Sequence, residues 1–276
     1  MTTFIIARLT FREAARRRIL LAALVLGLLF LIIYAVGYYY VNNEITRTGT
    51  GLLERNEIRN FLMMAGLYVV NFLTVMMAVL TSVDTLSGEI ASGTIHTLVA
   101  KPVRRWEIVL GKWLGFSGML SLYLLMMAGG VIGLVYLIAG YSPPNAIQGL
   151  TLMWINAILL LGVSLFGGAM LSTLANGVLV FGLYGVAFVG GWMEQIGSFL
   201  QNQTAINIGI ITSLLIPSEA LWRRAAYEMQ SPLVGALGYS PFSSPSVPSP
   251  LMVIYGVFYA GLALFLAMRQ FRKRDL

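Results

Sequence analysis

The chain has no cysteine, a single histidine and only 11% charged residues. Each scarcity removes a class of function. Without cysteine there is no disulfide, no thiolate nucleophile and no cysteine metal site. His96 stands without a second histidine, too little for an ordinary metal site, and reads as a polar contact on a helix. Its alternative role is a partner-facing imidazole titrating near neutral pH. No G-x-x-x-x-G-K-[ST] string occurs, so the chain has no phosphate-wrapping loop, and any nucleotide must be hydrolysed by another polypeptide. GVSLFG, residues 162–167, has the outline of a serine nucleophile turn, but no histidine lies in any apolar run to act as base. Ser164 is expected to bond a neighbouring backbone carbonyl instead.

What the sequence has in abundance is apolar length. Hydrophobic residues make up 58% of 276 residues, outside the range of a soluble domain. A spanning helix needs ~20 mostly apolar residues to cross a hydrocarbon core of ~30 Å, and several such runs occur. LLAALVLGLLFLIIYAVGYYY is continuously apolar, whereas barrel strands alternate over ~10 residues, so the expected fold class is an all-α integral membrane protein. Six transmembrane helices are expected at about 19–41, 60–83, 112–139, 150–173, 177–195 and 251–268, forming one transmembrane domain over 1–276. Thirteen Lys and Arg flank these spans on one side and five on the other. By the positive-inside rule both termini are cytoplasmic and the protein is a multi-pass component of the inner membrane. The net charge of +7 is therefore a topology and headgroup signal, with membrane lipids rather than nucleic acid as its partner.

Residues 1–18 carry too long a charged stretch for a cleaved signal peptide and read as an interfacial helix on the inner leaflet, with Phe4, Ile5, Leu9 and Phe11 set against Arg8, Arg12, Arg16, Arg17 and Arg18. Residues 42–59 read as a short polar outer loop and YSPPN, residues 141–145, as an outer turn. Ala205–Ile216 is too short to cross before Pro217, which predicts a re-entrant segment within the outer region 196–250. After it, SEALWRRAAYEM reads as a surface helix capped by Ser218, and the Pro- and Ser-rich stretch beyond as an irregular loop. Small residues four apart, Gly111 with Gly115, Gly129 with Gly133 and Gly256 with Ala260, suit close helix packing or a dimer seam. Glycines at 177, 182, 185, 190 and 191 suggest a span that bends or slides.

The most informative stretch is SGEIASGTIHTLVAKPVRRWEIVLGKWLGF, residues 87–116. Ile90, Thr94, Ile95, Leu98 and Val99 recur at three- and four-residue spacing, giving a stripe on a short helix that Pro102 stops. Trp106 and Trp113 suit the headgroup level, and Arg104, Arg105 and Lys112 the inner leaflet. A short rigid helix between two spans is a lever for a soluble partner; its alternative is a loop resting on lipid.

Here the sequence resembles a family. S-G-E-I-x-S-G-T-I-H-T-L-V-A-K-P-V-R-R-W-E-I-V-L-G-K resembles the intracellular-loop signature of the type-two ABC exporter permeases, and IARLTFREAARRRIL is similar to their opening. The likeness is closest to the branch labelled multi-copper enzyme maturation permease. The resemblance implies a permease that dimerises, with a homodimer expected, and couples to a separate cytoplasmic ABC ATPase. That partner would bind ATP and Mg, leaving no cofactor and no enzymatic activity in this chain. Carried over by position, 93–100 forms the coupling helix within a loop over 84–111. The coupling residues implied are Glu89, Gly93, Thr94, Ile95, His96, Leu98, Val99, Lys101, Pro102 and Arg105.

The spans show essentially no ionisable group at their centres, which disfavours an ion-coupled carrier. In the second span Tyr68, Asn71, Thr74 and Met76 offer a candidate cargo path for an amphiphile, and helix packing accounts for the same residues. Export powered by the partner's ATP hydrolysis is the expected function. The competing reading is a membrane anchor or sensory subunit that recruits a cytoplasmic protein without transport.

Overall fold

A computed structural model describes residues 2–49, 51–93, 103–231 and 246–274, and every regular element among them is helical. The helices are α1 (Thr2–Arg16), α2 (Arg18–Arg47), α3 (Leu52–Ser82), α4 (Ser87–Ala91), α5 (Arg105–Ala139), α6 (Ala146–Met170), α7 (Thr173–Phe199), α8 (Gln203–Leu215), α9 (Ser218–Met229) and α10 (Pro250–Lys273). Six of them, α2, α3, α5, α6, α7 and α10, are long and apolar enough to cross a bilayer. The expected six-span architecture is therefore present. The chain is an all-α integral membrane protein.

The helix ends follow local chemistry. Glu107 accepts from the Arg104 backbone N–H at 3.0 Å, which starts α5, and Gly140, at φ +63°, ends it. Asn202 caps α8 by accepting from the N–H groups of Thr204 and Ala205. Pro250 occupies the first turn of α10, where its missing N–H costs nothing. The expected polar loop over 42–59 is mostly helix. α2 continues to Arg47 and α3 begins at Leu52, because their polar outer turns keep intrahelical bonds while standing clear of the apolar layer.

α6 is the central span. In its most apolar stretch 72% of residues are buried, against 6% for α2. α3, α5, α9 and α10 all pack against α6. α2 touches the bundle along one stripe only, leaving an apolar groove of about 320 Å³ lined by Phe30, Tyr34 and Val41 on one side and Leu62 and Val69 on the other.

α1 is helical, as expected, and it is seated on α5. Gly111 faces Ile6 and the Thr3 carbonyl, Gly115 faces Thr10 and the Ala7 carbonyl, and Gly118 faces Phe11, so the two helices run in step in the same direction. A Cβ at Gly115 would sit 2.7 Å from the Ala7 oxygen, which gives this glycine pair its purpose. Gly129 and Gly133 face open space.

α8 folds back along α7 and turns through 105° into α9 at Ile216–Pro217, a re-entrant hairpin at the end of the bundle away from Gly93 and Val103. The glycines of α7 permit it: Gly190 meets Thr212, and a Cβ on Gly209 would lie 2.7 Å from the Gly190 oxygen. One expectation needs correcting. α9 is not a surface helix; Ser218, Glu219, Leu221, Trp222, Arg223 and Met229 are all buried. Its polar residues find partners inside the bundle. Ser218 donates to Asn156 Oδ1 at 2.7 Å rather than capping its own helix. At the other end of α9, Asn60 donates to the Met229 carbonyl and to the Tyr141 hydroxyl. Burial pushes that Tyr141 hydroxyl above its ordinary value, and the bond from Asn60 opposes the shift.

Candidate coupling site at the loop end of the bundle

The segment 94–102 lies outside the described residues, so Thr94, Ile95, His96, Leu98, Val99, Lys101 and Pro102 are not placed. Both of its flanks are, and they carry the geometry. On the leading flank, the four residues after α3 form a tight turn into the five-residue α4. Gly93 stands at φ +71°, the left-handed conformation that glycine adopts without steric cost, and its N–H bonds back to the Ile90 carbonyl at 3.2 Å.

Glu89, on α4, accepts a bond of 2.5 Å from Lys112 Nζ on α5. The lysine side chain is 4% exposed and the carboxylate 19%, so the pair clamps the two flanks of the loop together from a largely dry position. Lys112 was expected at the lipid headgroups; it is held instead by this acid.

On the trailing flank, Arg105 Nη1 donates to the carbonyls of Arg274 at 2.5 Å and Arg272 at 3.4 Å. Arg274 in turn donates to the Ala169 carbonyl at 2.7 Å. The last carbonyls of a helix lack intrahelical partners, so these guanidiniums close the exposed ends of α10 and α6 and bind them to the start of α5.

The leading flank reaches the same place from the other side. Thr173 donates to Asp84 Oδ1 at 3.1 Å, and its hydroxyl lies 2.9 Å from that of Ser87. Asn176 donates to the carbonyls of Val83 and Ser164, and Ser82 donates to the Ser164 hydroxyl at 2.8 Å. Among the described residues the Ser164 hydroxyl pairs with the Ser82 hydroxyl, not with the backbone carbonyl expected for it. The turn between α6 and α7 is gripped from both flanks of the loop. The described flanks of the loop are thus bonded to α3, α5, α6, α7 and α10.

A family model described as ABC-2 family transporter protein matches residues 4–276. The chain belongs to the ABC-2 transporter family. It is a multi-pass membrane protein and a permease subunit of an ABC transporter, and members of this family are membrane subunits that do not themselves carry the ATPase activity. No curated protein matches the chain. In this ABC-2 permease, Asp84, Thr173, Asn176 and Arg274 are parts of the loop-end network that sequence reasoning did not single out. The available signal was the run of polar residues STLAN between two apolar spans.

The residues proposed for cargo divide into two pairs. Asn71 and Thr74 are buried: Asn71 Oδ1 accepts from Asn156 at 3.2 Å, and the Thr74 hydroxyl donates to the Val70 carbonyl at 2.8 Å. Tyr68 and Met76 are half-buried, and the Tyr68 ring packs 5.2 Å from that of Trp222 on α9. Asn71, Asn156 and Ser218 form one polar chain that fastens α3 through α6 to the re-entrant hairpin.

Proposed function

We propose that this chain is the membrane half of an exporter whose ATPase is a separate cytoplasmic polypeptide seated against residues 93–100. Two copies of the permease work with two ATPase subunits in the inner membrane, both termini cytoplasmic, and ATP and Mg bind only in the partner. The observation that carries the reading is the double grip on the loop. An ion pair and two chains of hydrogen bonds join its flanks to the ends of four spans. A segment that merely rested on lipid would need no such bracing. The motion enters through the loop, passes along α3 and reaches the hairpin through Asn71, Asn156 and Ser218.

Cargo moving past Tyr68, Asn71, Thr74 and Met76 would have to part α3 from α6 and α9, because Asn71 and Thr74 bond inside the bundle. An amphiphile is the cargo class that suits such a seam. The likeness to the multi-copper enzyme maturation branch rests on the loop string alone and names no cargo.

The test is to replace Thr94 and Leu98 together by aspartate in the full-length permease. ATPase turnover stimulated by the permease, or co-purification of the ATPase, is expected to be lost. Unchanged behaviour in both assays refutes the docking role, and ATP-independent flux in sealed vesicles refutes the exporter.

A further inference from the structure

Away from the coupling network, three ionisable side chains are buried under the re-entrant hairpin: Glu194 on α7, and Glu219 and Arg223 on α9, each no more than 6% exposed. Arg223 Nη2 donates to Glu194 Oε2 at 2.6 Å and lies 3.5 Å from the Ser213 hydroxyl on α8. The second oxygen of Glu194 accepts from Ser246 at 2.6 Å. Nε and Nη1 of Arg223 are buried without a partner among the described residues. Glu219 lies one turn before Arg223, and its methylene chain crosses the backbone of α7 at Gly191, a position where any Cβ would collide with it.

Two carboxyl groups therefore share one guanidinium, and an arginine in a protein does not give up its charge. The other elements packed around the site supply no cation. α3 contributes Tyr68 and α7 Tyr184, both within electrostatic range of Glu219. α6 contributes Asn156, α8 Ser213, and α10 Tyr255, whose hydroxyl donates to the Leu214 carbonyl. The nearest further arginine, Arg224, is paired with Glu228 at 2.6 Å, and residues 232–249 contain no charged side chain. With both acids ionised the cluster would hold one uncompensated negative charge in an apolar setting, which is strongly unfavourable. A bound proton removes that cost.

We propose that the Glu194–Arg223–Glu219 cluster is a binding site for one proton, carried on Glu219 while the hairpin is closed and released when the hairpin opens. The assignment to Glu219 follows from the bonds. Glu194 already accepts a guanidinium N–H on one oxygen and a serine O–H on the other. Glu219 accepts no hydrogen bond from any described residue. The closed state thus binds one more proton than the open state, so closure is favoured at low pH and weakens as pH rises. Between the proton affinities of the two states, the open-to-closed ratio rises about tenfold per pH unit. Ser218, next in sequence to Glu219, is the residue bonded through Asn156 to α3, so movement of α3 against α6 acts directly on the proton site.

The full-length chain in lipid nanodiscs, without any ATPase, is sufficient for the test, which keeps it independent of the docking proposal. Infrared difference spectra in light and heavy water report protonated carboxyl groups. Wild type at neutral pH is expected to show one such band that E219Q lacks. E194Q is expected to lose it as well, because Glu219 then ionises against Arg223. R223M is expected to strengthen the band, since the guanidinium that opposes protonation of Glu219 is gone. Hydrogen exchange of residues 218–229, corrected for intrinsic rates, is expected to rise with pH in wild type and to be pH-independent in E219Q. Absence of the band in wild type, its persistence in E219Q or E194Q, or unchanged pH dependence in E219Q overturns the proposal.

Discussion

Substituting Glu89 by glutamine strands Lys112, the less exposed half of the ion pair between α4 and α5. With the charges in contact and an effective dielectric of ~20, their attraction is roughly 4 kcal/mol. Removing one partner of an enclosed pair leaves the other charge uncompensated, a loss of about 3 kcal/mol when the lysine is as buried as this one. Lys112→Met costs less, about 1–2 kcal/mol, because the Glu89 carboxylate retains some access to water. In the double variant neither charge is stranded, so the loss is about 1 kcal/mol and the coupling energy about 3–4 kcal/mol. At about 2–4 °C per kcal/mol for a chain of this size, E89Q lowers Tm by about 6–12 °C, and adding K112M restores most of it. The assay is thermal unfolding of the purified permease followed by size-exclusion chromatography. Single losses that simply add in the double variant, within about 0.5 kcal/mol, would refute the clamp.

Two further outcomes follow from the packing. Asn156→Leu leaves Ser218 and Asn71 buried without their partner and is expected to cost about 1–3 kcal/mol, with faster hydrogen exchange confined to α3 and the hairpin. Gly115→Val drives a side chain into the Ala7 backbone and is expected to unseat α1, seen as new protease cleavage within residues 2–16 while the six spans remain intact.

The spans were legible because an apolar run of membrane length admits few alternatives, and the re-entrant segment because Pro217 cut one run short. Their limits were less so: α3 starts eight residues before its apolar core, carried by Leu52 and Leu53 and a first-turn glutamate. The character of α9 was misread for a physical reason. SEALWRRAAYEM has the composition of a solvated helix, and only the distant Glu194, Asn156 and Asn60 make its burial tolerable. Sequence periodicity describes one helix at a time, whereas satisfaction of a buried charge depends on a partner elsewhere in the chain. The Gly111–Gly115 pair was readable as a packing surface, yet its occupant, α1, was not.

The enclosed arginine and glutamates of α9 also constrain how the chain is made. On insertion scales an arginine or acid at the centre of a segment costs about 2.5–3.5 kcal/mol, so this 12-residue helix has no favourable way into lipid by itself. It gains one once α7 has presented Glu194 and α6 has presented Asn156, both synthesised earlier. The hairpin therefore folds against α6 and α7 walls made before it, and a lesion at Glu194 would leave α9 to enter that socket without its charge partner.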